Sequence, residues 1–231
     1  MTEIDRLYAE CMNCPKEVGR CPGTWRDIPG GVPPRGFRDG KPGVQLLVVA
    51  KNPGHPLNGE REALSGHTGR ELLTAYRAFQ ETFKAKGPAE ASGRFHRNLR
   101  RYLEYFLECE GPQLEAIVAS TNLVKCSSPN ERAPLQRRTM VECYDTYLRK
   151  EVALMRPKVV LALGNEVRDF LNRQKDLGVP VIGIKHPSYF YRRDLEAGIL
   201  AEIKRKIQQA LRGAAQQAVQ RDGPASGGSA R

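Results

Sequence analysis

Residues 117–157 read IVASTNLVKCSSPNERAPLQRRTMVECYDTYLRKEVALMRP, and the fold turns on this stretch. It opens as an apolar run, Ile117 to Val124, of the length of a buried strand. The chain leaves that strand at Lys125-Cys126, crosses a polar loop containing Pro129 and Pro134, and enters an amphipathic helix. Met140, Tyr144, Tyr147, Leu148 and Val152 recur at helical spacing and supply the helix's apolar face, with Cys143 inside it. Asn122, a polar side chain near the end of an apolar strand, requires a partner or a ligand.

The same alternation extends to both sides of this unit. Upstream, Gln45 to Ala50 (QLLVVA) is a strand continuous enough to be buried on both faces, and it exits at Lys51-Asn52-Pro53-Gly54-His55. Thr68 to Glu71 has the form of a capping box before a helix carrying Leu72, Leu73, Tyr76, Phe79 and Phe83. A second helix, Arg94 to Leu107, turns Phe95, Leu99, Tyr102, Leu103 and Phe106 inward and Arg94, Arg97, Arg100 and Arg101 outward. Downstream, Lys158 to Leu163 is a third strand that turns at Gly164-Asn165 into a helix through Phe170. Val179 to Ile184 is the fourth strand, exiting at Lys185-His186-Pro187-Ser188 before a final helix from about Asp194. Strands alternating with helices predict a three-layer α/β/α sandwich around a four-stranded parallel sheet. Ahead of this, residues 2–11 form a short helix, and Arg20 to Gly43 is a Gly- and Pro-rich irregular loop that either covers a metal site or touches a nucleic-acid backbone.

Residues 1–212 are expected to make one domain. Residues 213–231 are small, polar and without aromatic side chains, the composition of a flexible tail. No run approaches the length of a membrane span, and the polar N-terminus does not read as a signal peptide, so a cytoplasmic protein without a membrane partner is expected. The net charge of +11 suits a polyanionic partner, nucleic acid before membrane, or else simply a soluble basic protein.

In an open parallel sheet ligands bind outside the carboxyl ends of the strands. Asn52, Asn122 and His186 all stand at such exits and are candidates for one crevice. In a reducing compartment clustered cysteines point to a metal site rather than to disulfides. Cys11 and Cys14 form a Cys-x2-Cys pair, and Cys126 and Cys143 bracket the central loop. Four thiolates suit an iron–sulfur cluster or a structural zinc, with Cys21 able to replace one of them and Cys109 a small core residue.

TNLVKCSSPNERAP, followed by Cys143 and MRPKVVLALGNEV, resembles the iron–sulfur uracil-DNA glycosylases, family 4 of that superfamily. IGIKHPSYFYRR is similar to their closing H-P-S loop, and the N-terminal Cys-x2-Cys completes the set. The resemblance implies a four-iron, four-sulfur ([4Fe-4S]) cluster held by Cys11, Cys14, Cys126 and Cys143. It implies monomeric action on uracil-containing or otherwise deaminated DNA. Asn122 would read the edge of a flipped pyrimidine, His186 would donate to the base as negative charge develops there, and Asn52 would orient a water. Gly54, Leu64 and Ser188 would line the base site, and the loop from Tyr189 through Arg192 and Arg193 would enter the duplex. Two positions depart from the family. Where it has GEAPG this chain has AKNPG, with Lys51 at the glutamate position, and where it has a stacking Phe this chain has Leu64. These departures motivate a rival reading, a member that binds damaged or single-stranded DNA without turnover. A flavodoxin-like iron–sulfur redox protein is a second rival, although no Gly-rich phosphate loop follows the first strand.

Overall fold

The computed structural model describes residues 1–14, 32–38, 40–54, 56–85, 94–127, 134–189, 191 and 193–221. Four strands form the parallel sheet the sequence predicts: β2 (Leu46–Ala50), β3 (Val118–Asn122), β4 (Val159–Leu163) and β5 (Val181–Ile184). A fifth was not anticipated. β1 (Phe37–Arg38), inside the stretch expected to be irregular, pairs antiparallel with β3, so the order is β1-β3-β2-β4-β5. Two residues give no periodicity to read. What holds β1 is the Phe37 ring, stacked on Tyr8 at 3.8 Å between centroids and edge-on to Tyr76 at 5.5 Å.

Because side chains alternate along a strand, each central strand feeds two cores. Leu47, Val49, Val160 and Ala162 face one core with α1 (Glu3–Met12), α2 (Glu60–Leu64), α3 (Gly69–Ala85) and α8 (Asn165–Leu171). The central helix packs on the same side. Leu46, Val48, Val159 and Leu161 face the other core with α4 (Arg94–Leu107), α5 (Gly111–Ile117) and α9 (Arg193–Arg221). Strands β2 and β4 are buried on both faces, as continuous apolar runs in a parallel sheet should be.

The central stretch differs in two respects from its reading. Ile117 closes α5 and the strand begins one residue later, because Glu110-Gly111-Pro112 starts a helical turn ahead of it. The following helix is not uniform: α6 (Arg137–Cys143) passes into a π-helical turn (Tyr144–Leu148) and then α7 (Arg149–Met155). The π turn starts directly after Cys143. At the far end, α9 continues to Arg221, well past the expected boundary at residue 212, while 222–231 lie outside the described residues. No described helix is long and apolar enough to cross a membrane.

Candidate active site

Chain connections leave β2 toward β3 and leave β4 toward β5, so the sheet reverses its winding between β2 and β4. A crevice opens at the carboxyl ends of strands where this happens. Ala50 pairs with Asn122, so the exits of β2 and β3 are level. Alternation places Asn122 on the same face as Val118, the face covered by α4 and α9.

The exits of β2 and β3 are pressed together against Gly36. This glycine has φ +91°, and a β-carbon there would lie 2.7 Å from Pro53 Cγ and 2.9 Å from Asn122 Cγ. Only glycine fits so close an approach, which fixes the Pro53 and Asn122 side chains beside each other. The side-chain amide of Asn52 donates to Pro53 O at 3.1 Å, leaving its Oδ1 to act as an acceptor. Asn52 and Asn122 thus stand at adjacent, level strand exits, with Pro53 and Asn122 meeting at Gly36.

Gly54 is fixed by a network that sequence reasoning missed. Its carbonyl accepts from Arg35 Nη2 at 3.1 Å and from Ser127 Oγ at 2.8 Å, and Arg35 Nη1 donates to Ser127 Oγ at 2.8 Å. Arg35 Nε meets Glu60 at 2.5 Å, and Glu60 also accepts the Leu57 N–H. Arg35 and Glu60 are buried. An arginine in a Pro- and Gly-rich loop and a lone glutamate opening a short helix carry no periodic signal, and the contacts span 19 to 92 residues.

Lys51 takes the opposite face. Its ammonium pairs with Glu166 at 3.1 Å, and the other Glu166 oxygen accepts the Leu135 N–H at 2.6 Å. Lys51 follows β2 and Glu166 follows β4, so the pair bridges the two strand ends where the winding reverses. Leu64 is buried among the α1 and α3 side chains on that same face, away from the side Asn122 shares.

His186 follows β5, three strand spacings from β3, or about 14 Å across the sheet. Asn122 and His186 thus stand at separated strand exits rather than in contact. The Ser188 N–H donates to His186 Nδ1 at 3.3 Å and the Tyr189 N–H to His186 O at 2.7 Å. An accepting Nδ1 places the proton of the neutral ring on Nε2, making Nε2–H the donor. α4 supports the loop from one side. Phe95 lies 4.9 Å from the His186 ring, and Asn98 donates to Pro187 O at 2.7 Å. Beyond His186, the Lys185 ammonium sits over the rings of Tyr189 at 4.1 Å and Tyr191 at 5.6 Å. Tyr189 is half-exposed. Arg192, His55 and Cys21 lie outside the described residues, as does the Arg193 side chain.

On the other face, four of the predicted thiols come from three segments. Cys11 lies in the last turn of α1 and Cys14 just past its end, Cys126 follows β3, and Cys143 closes α6. Burial pushes the Cys11 thiol well up, and Cys126 and Cys14 are close enough to add to that shift. Tyr147, on the π turn, hydrogen-bonds to Cys14 and feels Cys11 and Cys143; burial chiefly, then these neighbours, raises its phenol far above the ordinary value. Among the described residues no three Cys, His, Asp or Glu side chains lie grouped at metal-holding distance. The donor chemistry nevertheless suits a thiophilic metal group: four cysteines, three of them buried, with Cys11, Cys14 and Cys143 beside one tyrosine. Beside them Lys125 donates to both oxygens of Glu151 at 2.9 and 2.8 Å and to Thr121 Oγ1 at 2.5 Å, all three residues being buried. Cys109 is buried in the α4 and α9 core, apart from the other thiols.

A family model described as the uracil DNA glycosylase superfamily matches residues 37–212, from β1 into α9.

Proposed function

The chain belongs to the uracil DNA glycosylase superfamily, and from that premise we propose that it removes uracil or a related deaminated base from DNA by hydrolysing the N-glycosidic bond. Membership supports a DNA glycosylase type of function. The observation that supports the finer reading is the arrangement of strand exits at the sheet's carboxyl edge: the Asn122 amide fixed against Gly36 beside Asn52-Pro53 on one side, and an imidazole with its donor nitrogen set by Ser188 on the other.

Breaking the base–sugar bond leaves negative charge on the base and positive charge on the sugar. His186 Nε2–H donates to the base oxygen where that charge accumulates, an interaction stronger in the transition state than in the ground state. Asn122 offers one acceptor and two donor hydrogens to the base edge and so selects among bases. Asn52 Oδ1 accepts from a water and aims it at the sugar. An amide cannot deprotonate that water, so bond breaking runs ahead of attack. Extruding the base costs a few kcal/mol, offset by phosphate contacts that a +11 chain can supply.

In this proposal Cys11, Cys14, Cys126 and Cys143 hold a [4Fe-4S] cluster. Bound there, the cluster would tie α1, the β3 exit and α6 together and could carry one electron. Because Cys126 follows β3 by four residues, anchoring it also anchors the strand end that bears Asn122.

The Lys51–Glu166 pair and the burial of Leu64 away from the crevice favour one second reading, a member that binds DNA without turnover. An oligonucleotide panel carrying uracil, hypoxanthine, xanthine or ethenocytosine, incubated with excess protein and cleaved with alkali, decides between them. Strand scission at one or more of these bases is expected. Tight binding with no scission at any would leave only the second reading. Iron and sulfide analysis of anaerobically purified protein should give about four irons per chain, and a colourless preparation with stoichiometric zinc would remove the cluster.

A further inference from the structure

The proposed reaction asks His186 to hold one nitrogen at one place, and its side chain lies on a largely exposed loop. His186, Ser188 and Tyr189 are all solvent-exposed, and the internal bond that orients the ring, from the Ser188 N–H, is long at 3.3 Å. Catalysis requires an imidazole fixed to about half an ångström. Contacts from outside the loop add to its positioning.

The first turns of α4 provide two contacts on one helix face, because residues three apart lie one above the other. Phe95 sets its ring 4.9 Å from the His186 ring at a 33° tilt, an offset arrangement within the attractive range for aromatic pairs. Asn98 donates its amide to Pro187 O at 2.7 Å, gripping the residue directly after the imidazole. Pro187 is buried, so this grip is shielded from water. Phe95 itself is half-buried at the margin of the α4 and α9 core, and its other neighbour, His96, meets it edge-on at 4.9 Å. α4 in turn rests on the sheet through Tyr102, Leu103 and Phe106, so it is a rigid base for both contacts.

We propose that Phe95 and Asn98 are positioning residues for His186: the ring limits the imidazole's rotation and the amide fixes the loop, together keeping Nε2–H aimed across the crevice. The inference rests on the glycosylase reading for its consequence in rate but not for its geometry. Neither residue touches the base or the reacting atoms. Sequence reading assigned Phe95 to the core and gave Asn98 no role.

The experiment is a double-mutant cycle under single turnover on a base that wild type removes. Phe95→Leu and Asn98→Ala should each slow excision by about tenfold, since small misplacements of a reacting group are costly. Phe95→Tyr, which keeps the ring, should stay within about twofold of wild type. In a His186→Ala background the same two substitutions should change the residual rate by less than about twofold, because contacts that act through one residue lose their effect with it. Full, additive losses in that background would overturn the proposal, as would wild-type rates in both single variants. Asn98→Ala leaves the apolar core untouched, so it remains informative where Phe95→Leu loosens the fold. A second readout is independent of catalysis. Nitrogen-15 shifts of the His186 ring should show the Nε2–H tautomer in wild type and Phe95→Tyr, and a mixture of tautomers in Phe95→Leu and Asn98→Ala. If wild type excises no base, the glycosylase reading fails while the ring shifts still decide this inference: unchanged shifts in both variants would refute it.

Discussion

Replacing Lys125 with methionine perturbs the ion pair buried between the sheet and the central helix. Lys125 and Glu151 side chains are each 1% exposed, and the ammonium reaches both carboxylate oxygens, at 2.9 and 2.8 Å, and Thr121 Oγ1 at 2.5 Å. Lys125→Met keeps most of the stem but leaves a buried carboxylate whose remaining bond in this group comes from the Thr121 hydroxyl at 2.9 Å. Removing one partner of a buried pair costs about 3–5 kcal/mol, because the other charge stays desolvated and uncompensated. Domains are stable by only about 5–15 kcal/mol, so the loss is a large share. At roughly 2–4 °C per kcal/mol for a chain of this size, the midpoint should fall by roughly 6–20 °C. The double variant Lys125→Met/Glu151→Leu should recover most of the loss, since an apolar pair of similar volume is often neutral. Thermal and urea unfolding, each followed by circular dichroism, measure both variants. Metal content determined on the same samples separates loss of a bound group from loss of the pair. A single variant within about 1 kcal/mol of wild type, the value of an exposed pair, would refute this account of the buried charges. So would a double variant no more stable than the single.

Alkaline stability should depend on Tyr76. Burial pushes its phenol up to about 12, whereas an unfolded tyrosine ionises near 10. The folded state therefore holds a proton the unfolded state has released, and stability falls as pH rises between those values. Tyr76→Phe should flatten that fall in unfolding curves taken from pH 9.5 to 12, and an unchanged slope would count against the assignment. Lys51→Glu would restore the carboxylate that the family pattern has at this position. With Glu166 3.1 Å from the Lys51 ammonium, the new carboxylate instead meets a like charge. The variant should lose thermal stability, and Lys51→Glu/Glu166→Gln should regain it. A more stable single variant with faster excision would reverse this reading. Affinity for duplex DNA should fall steeply between 50 and 200 mM salt through counterion release. A dissociation constant independent of salt, measured by fluorescence anisotropy, would assign the +11 charge elsewhere.

The parallel sheet was readable because its strands are short apolar runs separated by helices with clear faces. QLLVVA and KVVLAL give β2 and β4 almost to the residue, and Arg94–Leu107 emerges with the bounds predicted. β1 was not readable, since two residues have no period and their place depends on Phe37 stacking with Tyr8 and Tyr76. Polar residues at strand exits pointed to Asn52, Asn122 and His186, because a parallel sheet sets all its strand exits along one edge. What holds them was hidden. Arg35 reaches Ser127 across 92 positions, and Asn98 reaches Pro187 across 89, separations no local pattern records. One signal was present for the buried pair. Glu151 stands among Leu148, Val152 and Met155 on a helix's apolar side, where a charge must have a partner. The π turn after Cys143 left no trace in the sequence, since its residues keep the helical apolar spacing.

In the proposed reaction two amides and one imidazole at the sheet's carboxyl edge break a base–sugar bond in DNA. Single-turnover excision from one uracil-containing oligonucleotide, compared for wild type, Asn52→Ala and His186→Ala, tests it most directly. His186→Ala should lower the rate by roughly a hundredfold or more while DNA affinity holds, because the lost donor acts mainly in the transition state. Asn52→Ala should also slow cleavage at unchanged affinity. Wild-type rates from both variants would contradict the account of this site, leaving the fold and the family intact.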